Sequence, residues 1–96
     1  MIRIITATKP NRITITVDGD VAGEYADAIE MVVKQASGLG GPIHLFLRDV
    51  LRIDQHGFAL LGRLAATGVR LSATGVYFSH VVAEINRSAA KPTAAA

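Results

Sequence analysis

The sequence contains no cysteine. A disulfide, a thiolate zinc site and a catalytic thiol are therefore excluded, and the composition fits a reducing compartment. Histidine is also sparse, because His44, His56 and His80 lie far apart and no two of them have the spacing of a metal site. We therefore predict no bound metal and no cofactor.

Long apolar runs are absent as well. No stretch approaches the roughly 20 apolar residues that would span a bilayer. Residues 1–11 alternate in polarity, whereas a secretory signal has a basic start followed by a continuous apolar run. We therefore expect no membrane insertion and a cytoplasmic location.

Neither sign of charge dominates the chain. Ten basic and eight acidic residues leave a formal net charge of +2. The basic residues are scattered along the sequence and form no stripe that could neutralise several phosphates. Nucleic acid is therefore not an expected partner.

Length and composition indicate one folded domain. The chain has 96 residues, of which 50% are hydrophobic and 19% charged, the balance of a packed globular protein. Domains of roughly 100 residues are common. We assign residues 1–87 to the domain and residues 88–96, which are Ala-rich and contain Pro92, to a frayed tail.

Alternating apolar residues predict an N-terminal hairpin. Ile2 and Ile4 begin the first alternating segment, and residues 9–11 supply turn chemistry. A second strand is predicted over residues 12–17, and residues 18–20 end it.

A change to helical periodicity follows the hairpin. The first helix is predicted from Val21 to about Ser37, with an inward stripe of Tyr25, Ile29, Val32 and Ala36. The later predictions are a central strand over residues 43–48, a helix capped by Asp54 with Phe58 in the core, a strand over residues 69–74, and a helix over residues 77–87 with Val81, Val82 and Ile85 inward.

This order of elements predicts the fold class. Strand, helix, strand, helix, strand implies two crossover connections and parallel pairing, and the hairpin adds an antiparallel edge. We expect a single-domain α/β fold with a mixed, mostly parallel sheet and amphipathic helices packed on it.

The densest polar cluster is predicted to lie between the central strand and the second helix. Ligands of open α/β sheets bind beyond the carboxyl ends of the strands, where this segment is expected. Its members are Arg48, Asp49, Arg52, Asp54, Gln55 and His56.

The same region resembles a known family. Residues 49–61, DVLRIDQHGFALL, resemble the signature loop and helix of STAS domains, the family of anti-sigma-factor antagonists and sulphate-transporter regulatory tails. Asp54 and Gly57 carry the match. Weaker matches are residues 17–21, in the turn before the first helix, and residues 68–71, at the entry to the last strand. The resemblance covers residues 11–87.

Three positions depart from the family pattern. His56 stands where regulatory members carry a phosphorylated Ser, and Gln55 stands where Ser or Thr is usual. Phe46 replaces an Asp that is common near the end of the central strand. The resemblance therefore implies a docking domain of STAS-like fold without the Ser phosphorylation switch.

The resemblance implies a non-enzymatic module that binds a protein partner. The partner would be a kinase-like or anti-sigma-like regulator, or a larger assembly such as a lipid-transport complex; a weak homodimer is a further arrangement. Competing hypotheses are a sensor of a nucleotide or lipid at the same place and a phosphohistidine carrier. The expected contact residues are Asp49, Arg52, Asp54, Gln55, His56 and Gly57, with Asp18 and Asp20 nearby.

Several of these residues also have purely structural interpretations. Asp54 is a helix N-cap, a partner contact, or both. His56 is either a partner contact or an ordinary surface residue at a helix start. His80 and Glu84 lie one helical turn apart and are interpreted as a solvated contact, because nothing else suggests an acid-base pair.

Overall fold

The computed structural model describes residues 2–90 and the side chains of residues 2–88. Within this range no helix is both long and apolar enough to cross a membrane. The strands are β1 (Ile2–Lys9), β2 (Arg12–Val21), β3 (Ile43–Ile53) and β4 (Arg70–Ala73). The helices are α1 (Gly23–Ser37), α2 (Gln55–Ala66) and α3 (Val76–Ala90).

The sheet has the order β1-β2-β3-β4. β1 pairs antiparallel with β2, while β2 with β3 and β3 with β4 pair parallel. The predicted α/β class, the antiparallel hairpin and the parallel remainder of the sheet are therefore confirmed.

One face of the sheet forms the core together with the helices. Alternate strand residues are buried there, and they share one apolar cluster with buried residues of α1, α2 and α3. These strand residues are Ile13, Ile15, Val17, Ile43, Leu45, Leu47 and Leu71. The intervening residues of β2, β3 and β4, including Thr14, His44 and Ser72, point to the opposite face and stay outside this core.

Two strands extend further along the chain than the sequence predicted. β2 continues past Val17 to Val21, and β3 continues past Arg48 to Ile53. β2 and β3 remain paired along this extension. At two places β3 carries an extra residue that shifts the register between the strands. Bulges of this kind allow polar and glycine residues to lie within a strand. The predicted polar loop is therefore mostly strand.

The buried faces of α1 and α2 differ in part from the predicted apolar stripes. In α1 the buried residues are Ala26, Ile29, Val33 and Ala36. Tyr25 and Val32 are only half-buried, because they lie beside this face and not at its centre. Phe58, predicted in the core, is 38% exposed. The buried side of α2 is instead formed by Gly57, Leu60, Leu61, Leu64 and Ala65.

The last helix is longer than predicted. α3 spans Val76–Ala90 and so passes Arg87, where the predicted helix ended. Val82 is buried, whereas Val81 and Ile85 are half-buried. Residues 91–96 of the predicted tail lie outside the described residues.

α3 also covers an edge of the sheet. The Asn86 side-chain amide donates to the Leu71 carbonyl at 2.8 Å, and its Oδ1 accepts from the Leu71 N–H at 3.3 Å. Both main-chain groups of a β4 residue are thereby paired by one side chain. Exposed strand edges promote sheet-to-sheet association, so Asn86 protects this edge.

Candidate functional site

The candidate site lies at the carboxyl ends of β2 and β3. We call it the bulged end and define it as residues 18–21 and 48–53 together with the first turns of α1 and α2. Arg48 is the extra residue of the first bulge, between the pairs Val17 with Leu47 and Asp18 with Asp49. Leu51 is the extra residue of the second bulge.

The second bulge turns an apolar side chain outward. Leu51 is 78% exposed although it lies within a paired strand. Its neighbours Asp49 and Arg52 are exposed as well. An isolated exposed leucine is ordinary, but here it is flanked by charged groups of both signs.

Arg48 and Asp18 form a two-point ion pair. Arg48 Nε donates to Asp18 Oδ1 at 3.0 Å, and Nη2 donates to Oδ2 at 2.5 Å. The hydrogen bond from Arg48 lowers the pKa of Asp18 below its ordinary value. Arg48 Nε also lies 3.9 Å from Asp49 Oδ2. Asp18 and Arg48 are thus occupied in joining β2 to β3 across the first bulge.

A looser ion pair follows at the second bulge. Arg52 Nε lies 3.6 Å from Asp20 Oδ2, and the two residues are register partners. The Arg52 side chain is largely exposed, while that of Asp20 is mostly covered. Arg52 is therefore the more accessible member for an external partner.

Asp54 joins the starts of two helices. Its Oδ1 accepts from the Gly57 N–H at 2.7 Å, which confirms the predicted N-cap of α2. Its Oδ2 accepts from the N–H of Gly23, the first residue of α1, at 3.1 Å. The two N–H groups, that of Gly57 first, lower the pKa of Asp54 despite some opposing desolvation. The carboxylate is therefore committed to holding α1 against α2.

Gly57 permits this close arrangement. A Cβ atom at Gly57 would lie 2.0 Å from the Val21 carbonyl oxygen. The Val21 carbonyl also accepts the Asp54 N–H at 3.3 Å. Because Gly57 is buried, it positions α2 at the end of β2 and offers little surface to a partner.

His56 contacts α1 from the first turn of α2. Its Nε2 lies 3.0 Å from Asp27 Oδ1, and both side chains are about half or more exposed. Gln55 is exposed beside it. The contact orients the imidazole while leaving it reachable from solvent.

The other histidine and carboxylate groups are relevant to a metal site and to an acid-base pair. No group of three His, Cys, Asp or Glu side chains in residues 2–90 could hold a metal ion. His80 Nε2 lies 4.0 Å from Glu84 Oε2 with both side chains well exposed, as expected for a solvated contact. Arg87 also binds Glu84, at 2.6 Å.

The start of α3 adds apolar groups that the sequence analysis missed. Val76 is 91% exposed and Tyr77 is also exposed. The segment before them is tied to β3, because the Thr74 N–H donates to the Leu47 carbonyl at 3.2 Å and the Thr74 hydroxyl donates to the Arg48 carbonyl. Both residues therefore lie at the same end of the sheet as the bulges.

The predicted contact residues divide into two classes. Asp18, Asp20, Asp54 and Gly57 are engaged in holding strands and helices together. Asp49, Arg52, Gln55 and His56 present exposed groups. Leu51, Asp27 and the start of α3 were not predicted, since their positions depend on bulges and helix packing. No model of a known protein family matches the chain, and none of the curated proteins does.

Proposed function

We propose that this chain is a STAS-like protein-interaction module with no catalytic role. It docks a protein partner through the bulged end, with Leu51 as the apolar anchor and Asp49, Arg52, Gln55 and His56 around it. The partner is an anti-sigma-like or kinase-like regulator, or a larger assembly, such as a lipid-transport complex, of which the chain is a subunit. We place its action in the cytoplasm.

The roles of the matching residues support the family assignment. Asp54 caps α2 and also binds the start of α1. Gly57 occupies a position that no larger residue would fit without movement. Both residues that carry the STAS resemblance thus act where β3 passes into α2, and the sheet is mixed, as the resemblance leads us to expect. These observations support the proposal.

The exposure of Leu51 carries the docking proposal. A bulge holds this leucine 78% exposed on a strand that is paired on one side with β2. Protein interfaces concentrate binding energy in a few apolar or aromatic anchors surrounded by polar groups that exclude water. Asp49 and Arg52 supply such a rim, and Tyr77 is a further exposed aromatic residue at this end.

The identity of residue 56 shapes the regulation that we propose. An added phosphoryl group would bring about −1.5 to −2 charges to a helix start, but neither Gln55 nor His56 carries the hydroxyl that accepts it in the family's switch. Docking is therefore constitutive in this proposal. His56, held by Asp27 at 3.0 Å, acts as a hydrogen-bonding contact.

A charge placed on the anchor tests the proposal. Affinity capture from a lysate of the native host would use the wild type, Leu51→Asp and the matched control Leu39→Asp as baits. Leu39 is 70% exposed in the turn after α1, at the opposite end of β3. We expect a specific protein with the wild type and Leu39→Asp but not with Leu51→Asp. Recovery of the same proteins by all three baits would refute docking at Leu51.

A further inference from the structure

A second polar site lies at the other end of the sheet, where β3 and β4 begin. A cavity of about 530 Å³ opens there, and its polar lining includes Arg12, His44, Arg70, Ser72 and Asn86. Among the residues that the structure describes, no acidic side chain contributes to this lining. The bulged end lies at the carboxyl ends of the same parallel strands, so the two sites are separate.

Strand register brings the basic groups together. Arg70 on β4 pairs with His44 on β3, and His44 pairs with Thr14 on β2. Arg12 lies two residues before Thr14 and so points to the same face. Neighbouring strands are about 4.8 Å apart, so Arg12 and Arg70 flank His44 from the two adjacent strands within reach of one small ligand.

Within the described residues, the two guanidinium groups lack acidic partners. Among the side chains of residues 2–88, no carboxylate oxygen lies within 4.0 Å of a side-chain nitrogen of Arg12 or Arg70. Both residues are exposed at the cavity. Burial first, and then the charges of Arg12 and Arg70, lower the pKa of His44. The cavity therefore holds positive charge that the described residues do not neutralise.

Hydroxyl and amide groups complete a fixed polar wall. His44 Nε2 lies 2.7 Å from Ser72 Oγ. Asn86 is held by its two hydrogen bonds to the Leu71 main chain. A polar group fixed before binding loses less conformational freedom when a ligand arrives.

We propose that this cavity binds the phosphoryl group of a small phosphorylated molecule, independently of partner docking at the bulged end. Arg12 and Arg70 bind the phosphate oxygens from two sides, because the planar guanidinium fork matches such oxyanions. Ser72 and His44 supply further hydrogen bonds between them. The volume of about 530 Å³ exceeds that of a bare phosphate and lies within the range of about 300–1,000 Å³ that small-molecule sites occupy.

Calorimetric titration with ribose 5-phosphate, inorganic phosphate and ribose tests the site. We expect saturable one-to-one binding of ribose 5-phosphate, weaker binding of inorganic phosphate and none of ribose. Arg12→Gln and Arg70→Gln should each weaken binding roughly tenfold or more, as expected for loss of a charged hydrogen-bond donor. Lys34→Gln is the matched control, because it removes one positive charge from an exposed site on α1.

A nuclear magnetic resonance titration of His44 gives an independent result. A bound phosphate offsets the two guanidinium charges, so the pKa of His44 should rise when ribose 5-phosphate saturates the protein. Absence of saturable binding, equal binding of ribose and its phosphate, or equal weakening by Lys34→Gln would overturn the proposal. A His44 pKa unchanged at saturation would also overturn it, by placing the phosphate elsewhere.

Discussion

The substitution Gly57→Ala tests the packing that forms the bulged end. It adds one methyl group to the first turn of α2. That carbon would lie 2.0 Å from the Val21 carbonyl oxygen and 3.0 Å from Val21 Cγ1, while ordinary contact begins near 3.4 Å. Because the nearest atom is main chain within β2, a change of side-chain rotamer cannot relieve the clash.

The expected loss of stability is large for one methyl group. Overpacking typically costs about 1–3 kcal/mol and sometimes more, and here α2 must also move away from Val21. The higher helix propensity of alanine returns about 1 kcal/mol. Because main-chain atoms of β2 block the added carbon, we expect a cost at the upper end of the overpacking range or above it. The net loss is then about 2 kcal/mol or more, a substantial part of the roughly 5–15 kcal/mol by which domains are stable.

Gly62→Ala is the matched control in the same helix. A Cβ atom at Gly62 meets no heavy atom within 4 Å, so only the helix-propensity gain of about 0.5–1 kcal/mol should appear. Urea unfolding followed by circular dichroism measures both variants. If Gly57→Ala were as stable as the wild type, or were stabilised like Gly62→Ala, the close approach of α2 to β2 would be refuted.

Three further changes test other parts of the structure. Asn86→Leu should lower the free energy of unfolding by about 1–3 kcal/mol, because it leaves both Leu71 main-chain groups unpaired; hydrogen exchange should show faster exchange of the Leu71 amide. Folding lowers the pKa values of Asp18 and Asp54 from 3.8. The two ionised carboxylates therefore stabilise the folded state above pH 3.8, and this contribution is lost as the pH falls through the lowered pKa values. Urea midpoints measured at about pH 5 and about pH 2 should therefore differ less in Asp54→Asn than in the wild type, and an equal difference would contradict this. The pKa of His44 is lowered from 6.5, so the unfolded chain takes up this proton first and stability falls as pH drops below 6.5. His44→Asn should flatten that part of the stability curve, and an unchanged slope would show that His44 does not cause it.

Local patterns were sufficient to predict the element order. Alternation in β1 and β2, helical periodicity in α1 and turn chemistry at residues 9–11 are properties of short segments. The Asp54 cap was also predictable, because an N-cap bond to the Gly57 N–H spans only three residues. Pairing directions then followed from the connections between elements.

Contacts between distant segments were not predictable in the same way. The two bulges depend on how β2 and β3 pair, and they convert a predicted loop into strand. The second bond of Asp54, to Gly23, joins residues 31 positions apart. The contact between His56 and Asp27 likewise needs the packing of α1 on α2.

The cluster of basic residues at the cavity was also not predictable from short segments. The basic residues are scattered along the sequence, and their spacing indicated no cluster. Strand register nevertheless places Arg12 and Arg70 beside His44 at one cavity. Side chains that share one face of a sheet are set by pairing, which no short segment reveals.

Site-specific photo-crosslinking in the native host tests the docking site most directly. A benzophenone amino acid replaces Leu51 in one variant and Leu39 in another, and both positions are exposed. Docking at the bulged end predicts a discrete crosslinked protein from position 51 that is absent from position 39. The same adducts from both positions, or an adduct from position 39 alone, would contradict docking through Leu51.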